Sequence, residues 1–196
     1  MTDTDISPAA PPVTPPTDDV VYMGRQPIFD RKRRTYAYEL LYRNGTENLA
    51  FFRDPDDATR RVLEVAMLEW GFDRVVGDRY GFINAASGIL HSGILEILPA
   101  DRAVIELVQD MVFDGTVLDA IRGAHARGLR FALDDVSTTA RPGFADVAPF
   151  ISVVKVDLQA VGLDGLPSLV ADVKALFPKA LRLAQKVEEH SEFEHA

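Results

Sequence analysis

The chain contains no cysteine among its 196 residues. That absence removes disulfides and thiolate zinc sites and fits a reducing, cytoplasmic setting. Nowhere do about 18 apolar residues run without interruption, so no membrane-spanning helix or membrane insertion is expected. The opening Met1-Thr2-Asp3-Thr4-Asp5 has no basic region followed by an apolar run, so no secretory signal is expected either. Cations are scarce: 21 Lys and Arg stand against 30 Asp and Glu, for a net charge of −9. That balance argues against nucleic acid or an anionic membrane as the main partner. His91, His125, His190 and His195 show no paired metal-ligand spacing and read as surface or core-edge residues.

Of what is present, 47% hydrophobic and 26% charged residues are ordinary for a chain that buries a core. The length suits one large domain, or a domain with a tail. Pro8, Pro11, Pro12, Pro15 and Pro16 lie among Thr, Ala and Asp, so residues 1–19 read as an extended, disordered tail and 20–196 as the domain. Val20-Val21-Tyr22-Met23 reads as a strand and 35–41 as a second. The short basic turn between them, Asp30-Arg31-Lys32-Arg33-Arg34, implies an antiparallel hairpin. Asn44-Gly45-Thr46 is a turn, and Asp54-Pro55-Asp56-Asp57 opens a helix that carries Val62, Val65 and Ala66.

Strand and helix then alternate. Strands are expected over 80–84, 103–107, 131–134, 152–156 and 182–185. Helices are expected near 88–97, 116–127 and 166–177 and after Glu188, with Gly128 as a helix stop. Such alternation implies parallel strands with crossover helices. The fold class is therefore α/β: a modified (β/α)8 TIM-type barrel with an antiparallel first strand and no closing strand. Barrels of this kind usually take about 250 residues. Either the domain is incomplete at its C-terminal side, or something else covers an open edge.

In a parallel barrel the carboxyl ends of the strands share one side. On this placement Glu39, Asn84, Glu106, Asp134, Asp135 and Lys155 surround one mouth. The sharpest run is Phe131-Ala132-Leu133-Asp134-Asp135, where two neighbouring carboxylates need a cation, a proton or full solvation. Oxygen donors suit Mg²⁺ or Mn²⁺ rather than zinc. A pair of such ions would activate water and steady the charge on a phosphodiester. Lys155, a cation on an apolar strand, is expected to have a lowered pKa from burial beside metals, and so to orient or deprotonate water. Each residue also has a plainer reading. An acid at a strand end is more often a helix cap or a solvated charge. Asp157 reads as a turn cap, the basic run 31–34 as an exposed turn, and the stripe Leu63, Met67 and Trp70 as core. The agreement of several strand ends is what favours a site.

Gly24-Arg25-Gln26-Pro27-Ile28-Phe29-Asp30, Tyr38-Glu39-Leu40-Leu41-Tyr42-Arg43, Phe82-Ile83-Asn84, Glu106-Leu107, Asp134-Asp135 and Lys155-Val156-Asp157 together resemble the EAL domain, from about Val20 to the end. The resemblance implies a modified barrel and, in active members, hydrolysis of cyclic di-GMP to pGpG with Mg²⁺ or Mn²⁺. By position it implies that Glu39, Asn84, Glu106 and Asp134 are metal ligands and that Asp135 serves the second metal. It also implies that Lys155 lies near the catalytic water, that Gln26 and Arg43 contact the dinucleotide, and that Glu188 belongs to a late catalytic motif.

The departures are specific. Glu-Ala-Leu becomes Glu39-Leu40-Leu41, and Glu-Leu-Thr-Glu becomes Glu106-Leu107-Val108-Gln109. Asp-Asp-Phe-Gly-Thr-Gly becomes Asp134-Asp135-Val136-Ser137-Thr138-Thr139, without either glycine. Ala-Glu-Gly-Val-Glu becomes Ala184-Gln185-Lys186-Val187-Glu188, which weakens attraction for a second divalent ion. The opening motifs look most like EAL domains that precede an HDOD domain in signalling or scaffold proteins. The reading is a degenerate EAL signalling or interaction module with weak or no phosphodiesterase activity and with a protein partner or homodimer. The alternatives are an active cyclic di-GMP phosphodiesterase or a receptor that binds cyclic di-GMP without cleaving it.

Overall fold

The computed structural model describes residues 22–43, 59–60, 63, 67, 70–108, 110–188 and 192–193. Seven strands form one sheet in chain order: β1 (Tyr22–Phe29), β2 (Thr35–Arg43), β3 (Tyr80–Ala85), β4 (Ala103–Leu107), β5 (Arg130–Val136), β6 (Ile151–Asp157) and β7 (Leu181–Gln185). The first pair is antiparallel and every later neighbouring pair is parallel, as the sequence implied. Asp30 holds the reversing turn: its Oδ1 accepts from the Lys32 and Arg34 amides at 2.8 and 2.9 Å. Among the described residues no strand pairs with the outer edges of β1 and β7, so the curled sheet makes most of a barrel without closing it.

The helices are α1 (Phe72–Val76), α2 (Ser87–His91), α3 (Gly115–Ala126), α4 (Phe144–Val147) and α5 (Leu158–Leu176). Asp114 starts α3 by accepting from the Thr116 and Val117 amides. Gly128, at φ 99°, follows its end as expected. Asp157 starts α5 by accepting from the Ala160 amide at 3.0 Å, the cap role read from the sequence.

Several boundaries differ from expectation. β1 continues through Pro27 to Phe29, because an edge strand can spare the ladder hydrogen bond that proline cannot donate. The helix expected over 88–97 breaks at Gly93, φ 73°, into α2 and a 3₁₀ turn at Ile94–Ile97. The helix expected over 166–177 begins at Leu158 and kinks at Gly162. Helices α1 and α4 were not expected; at 5 and 4 residues they are too short to display a helical period. Leu63 is buried and helical as expected, but Trp70 is 46% exposed. Residues 1–21, 44–58 and 189–191 lie outside the described residues. With them lie the proline-rich segment, the Asn44-Gly45-Thr46 turn, the Asp54-Pro55-Asp56-Asp57 helix start and the beginning of the segment after Glu188.

Both faces of β3 to β6 are buried, which is why these strands read as nearly unbroken apolar runs. Outward-facing Leu40, Ile83, Ile105, Leu133 and Val154 pack with Ile89, Ile121, Phe144 and Val173 from the helices. Inward-facing Ile28, Ala37, Phe82, Val104, Ala132 and Val153 form a separate apolar disc inside the barrel, with Leu183 packed against it.

Candidate active site

Residues two apart on a strand share a face. The next inward position after the apolar disc is therefore Glu39 beyond Ala37, Asn84 beyond Phe82, Glu106 beyond Val104, Asp134 beyond Ala132, Lys155 beyond Val153 and Gln185 beyond Leu183. On the antiparallel β1 the same step leads from Ile28 to Gln26, which pairs in register with Glu39. The strand-end residues read from the sequence thus form one polar layer resting on one apolar layer.

Asp134 and Asp135 are an exception to that alternation, since neighbours on a regular strand point to opposite faces. Here the pairing of β5 with β6 slips between Leu133 and Val136, so that Leu133 pairs with Val154 and Val136 with Val156. Three steps on β5 match two on β6, which is a β-bulge. Asp135 sits in it with φ 49°, a left-handed conformation that Asp tolerates better than most residues. The bulge re-aims Asp135 so that both carboxylates serve the mouth.

Lys155 stands at the centre of the layer. Its Nζ lies 2.6 Å from Glu106 Oε1, 2.8 Å from Asp134 Oδ1 and 3.3 Å from Glu39 Oε2. Glu39 Oε1 also accepts from the Asn84 amide at 3.5 Å. Burial alone would lower the Lys155 pKa, but Glu106, Glu39 and Asp134 together outweigh it and hold the ammonium charged. The lowering expected from the sequence was for a lysine beside metal ions; against these three acids alone the shift is upward. Burial pushes the Glu106 carboxyl the other way, up to about 8, against the pull of Lys155.

One ammonium facing three carboxyls leaves negative charge uncompensated. Glu106 is fully buried, and its Oε2 has no hydrogen-bond partner among the described residues. An orphaned oxygen in a dry site is costly unless a cation or proton meets it. The hard donors Glu39, Asn84, Glu106 and Asp134 fit a divalent ion such as Mg²⁺ or Mn²⁺. As placed they converge on Lys155, and among the described residues no three acids or histidines are arranged around an ion. Binding would require Nζ to give way.

A second group surrounds Asp135. Its Oδ1 accepts from Gln185 Nε2 at 2.7 Å and lies 2.8 Å from Lys186 Nζ. The same Nζ lies 2.6 Å from Asp157 Oδ2. Hydrogen bonds to Asp135 and Asp157 hold the Lys186 ammonium charged. Nitrogen donors thus engage the Asp135 oxygen at the position the sequence assigned to a second metal. Sequence reasoning recognised Asp157 as a cap and missed its ion pair.

The remaining candidates lie outside these clusters. Gln26 is exposed on β1 opposite Glu39. Arg43 ends β2 opposite Tyr22, and its side chain is beyond what the structure describes. Glu188 is exposed at the rim, where its carboxylate accepts from Gln159 Nε2 at 2.7 Å instead of joining the Lys155 group.

No family model matches the chain. It is 32% identical over 177 residues, 89% of its length, to the cyclic di-GMP phosphodiesterase CdgJ of Vibrio cholerae. Among solved structures it superposes on Bacillus subtilis YkuI, a protein with an EAL domain in complex with substrate c-di-GMP and calcium. There the TM-score is 0.70 at 17% identity, over 90% of this chain and 50% of that one. The isolated EAL domain of Mycobacterium smegmatis DcpA matches with TM-score 0.68 at 22% identity, over 90% of this chain and 88% of that one. The fold is that of an EAL domain. Relative to such domains, the described residues supply the antiparallel first strand and the six parallel strands after it. The chain spans 40% to 43% of the length of the curated relatives it matches. Among the described residues no helix is long and apolar enough to cross a membrane.

Proposed function

We propose that this chain is a degenerate EAL signalling module whose polar layer takes a divalent ion and cyclic di-GMP, with weak or no phosphodiesterase activity. The observation that carries this reading is the engagement of Asp135 by Gln185 and Lys186. A divalent ion bound by Glu39, Asn84, Glu106 and Asp134 would polarise a phosphodiester oxygen. Those residues and Lys155 would orient the ligand, while the altered second position would deprive attack by water of support. The named activity of CdgJ and the ligand of YkuI support cyclic di-GMP as the ligand class. The likeness of the opening motifs to EAL domains that precede an HDOD domain supports a signalling role with a protein partner or a second copy of the chain.

A second reading, an active Mg²⁺- or Mn²⁺-dependent phosphodiesterase, is favoured by the convergence of Glu39, Glu106 and Asp134 on one point of the layer. Calorimetric titration of cyclic di-GMP with Ca²⁺ present, followed by a chromatographic assay for pGpG with Mn²⁺, separates the two. Binding with little or no pGpG is expected. Robust turnover would favour the enzyme, and no heat from the folded chain would leave only the protein-interaction role.

A further inference from the structure

Asp135 and Asp157 come from two strands and share one cation. Lys186 Nζ bridges Asp135 Oδ1 at 2.8 Å and Asp157 Oδ2 at 2.6 Å. It does so from a left-handed backbone at φ 58°, which is unfavourable for a lysine and costs glycine almost nothing. Strain of this kind at a functional mouth points to a side chain that ordinary backbone could not deliver. Gln185 completes the arrangement by donating to the same Asp135 Oδ1 at 2.7 Å. Its own Oε1 is buried without a hydrogen-bond partner among the described residues. A carboxylate at 185 would repel Asp135, whereas the amide binds it. Two nitrogen donors use both lone pairs of Asp135 Oδ1, so a divalent ion could reach that oxygen only by displacing an amide and an ammonium.

We propose that the Lys186 ammonium, seated by Gln185, is a tethered substitute for a second divalent cation, so that the chain binds one metal ion and not two. The proposal rests on the polar layer being a metal site of the EAL kind. An ammonium supplies one positive charge where an ion supplies two, and it has no open coordination position for water. Shared between two carboxylates, it fills the second position without supplying the means to attack a phosphodiester.

Manganese alone is the probe, titrated into the full chain and followed by the loss of the free Mn²⁺ paramagnetic resonance signal. One ion per chain is expected for the unaltered protein. Two are expected for Gln185→Glu combined with Lys186→Gly, which restores an acid and relieves the left-handed strain. Two ions in the unaltered chain, or one in the double variant, would overturn the proposal.

A second measurement does not depend on metal. In buffer with a chelator, the double-mutant cycle of Lys186→Met and Asp157→Asn is read by urea unfolding. Asn at 157 keeps the helix cap. Coupling of about threefold in the unfolding equilibrium constant is expected for this pair of a 40% exposed lysine and a buried aspartate, and none would overturn the bridge. If the unaltered chain binds no Mn²⁺ while the coupling is present, the layer's metal-binding reading falls and Lys186 keeps its structural place. If it binds one ion without coupling, the tethered cation falls and the metal reading stands.

Discussion

A single buried side chain carries much of the site's charge balance. Lys155 is the shared partner of Glu39, Glu106 and Asp134, and removing one member of a buried ionic group leaves the rest desolvated and unpaired. Lys155→Met is therefore expected to destabilise the metal-free chain by about 3–5 kcal/mol. Saturating Mn²⁺ should restore part of that loss by supplying the missing positive charge. Urea unfolding with chelator and with Mn²⁺ checks both statements, and an unchanged midpoint in chelator would mean that the three acids are protonated or solvated. The position of Lys155 was legible in Val153-Val154-Lys155-Val156, because a lone cation in an apolar strand needs a counter-charge. Its protonation was not, because that depends on which acids from three other strands reach the same nitrogen.

Elements were legible where a period was long enough to show. The apolar runs of β3 to β6 announced themselves, and their ends named most of the polar layer. The bulge at Asp135 could not be read, since strict alternation sends Asp134 and Asp135 to opposite faces. Lys186 was equally opaque: sequence registers an added cation but not the left-handed turn that aims it. Caps were readable at Asp157 and Gly128 but not at Asp114. Asp114 begins α3, and its hydrogen bonds from the Val117 amide and the Thr116 side chain lower its pKa below the ordinary 3.8. A lowered folded-state pKa contributes stability that is present above 3.8 and lost as pH falls through the folded value. Asp114→Ala should therefore lower the urea midpoint near neutral pH, and its deficit should shrink as the buffer is taken below 3.8. A deficit that stayed constant across that window would sink the capping argument.

Across the whole molecule, β1 and β7 are the two ends of the strand order. Leu181 on β7 is 55% exposed, and an apolar edge that no strand among the described residues covers invites pairing with another chain. Sedimentation velocity over a wide concentration range should show self-association, and Leu181→Lys should reduce it. Association unaffected by that change would place the contact elsewhere. The strand order also sets how far a change at the mouth travels. Glu106 on β4 meets Lys155 of β6 across the intervening β5, whereas Asp135, Asp157 and Gln185 sit on the consecutive strands β5, β6 and β7. The second cation position is a local arrangement of neighbours, and Lys155 is the tie that spans the layer.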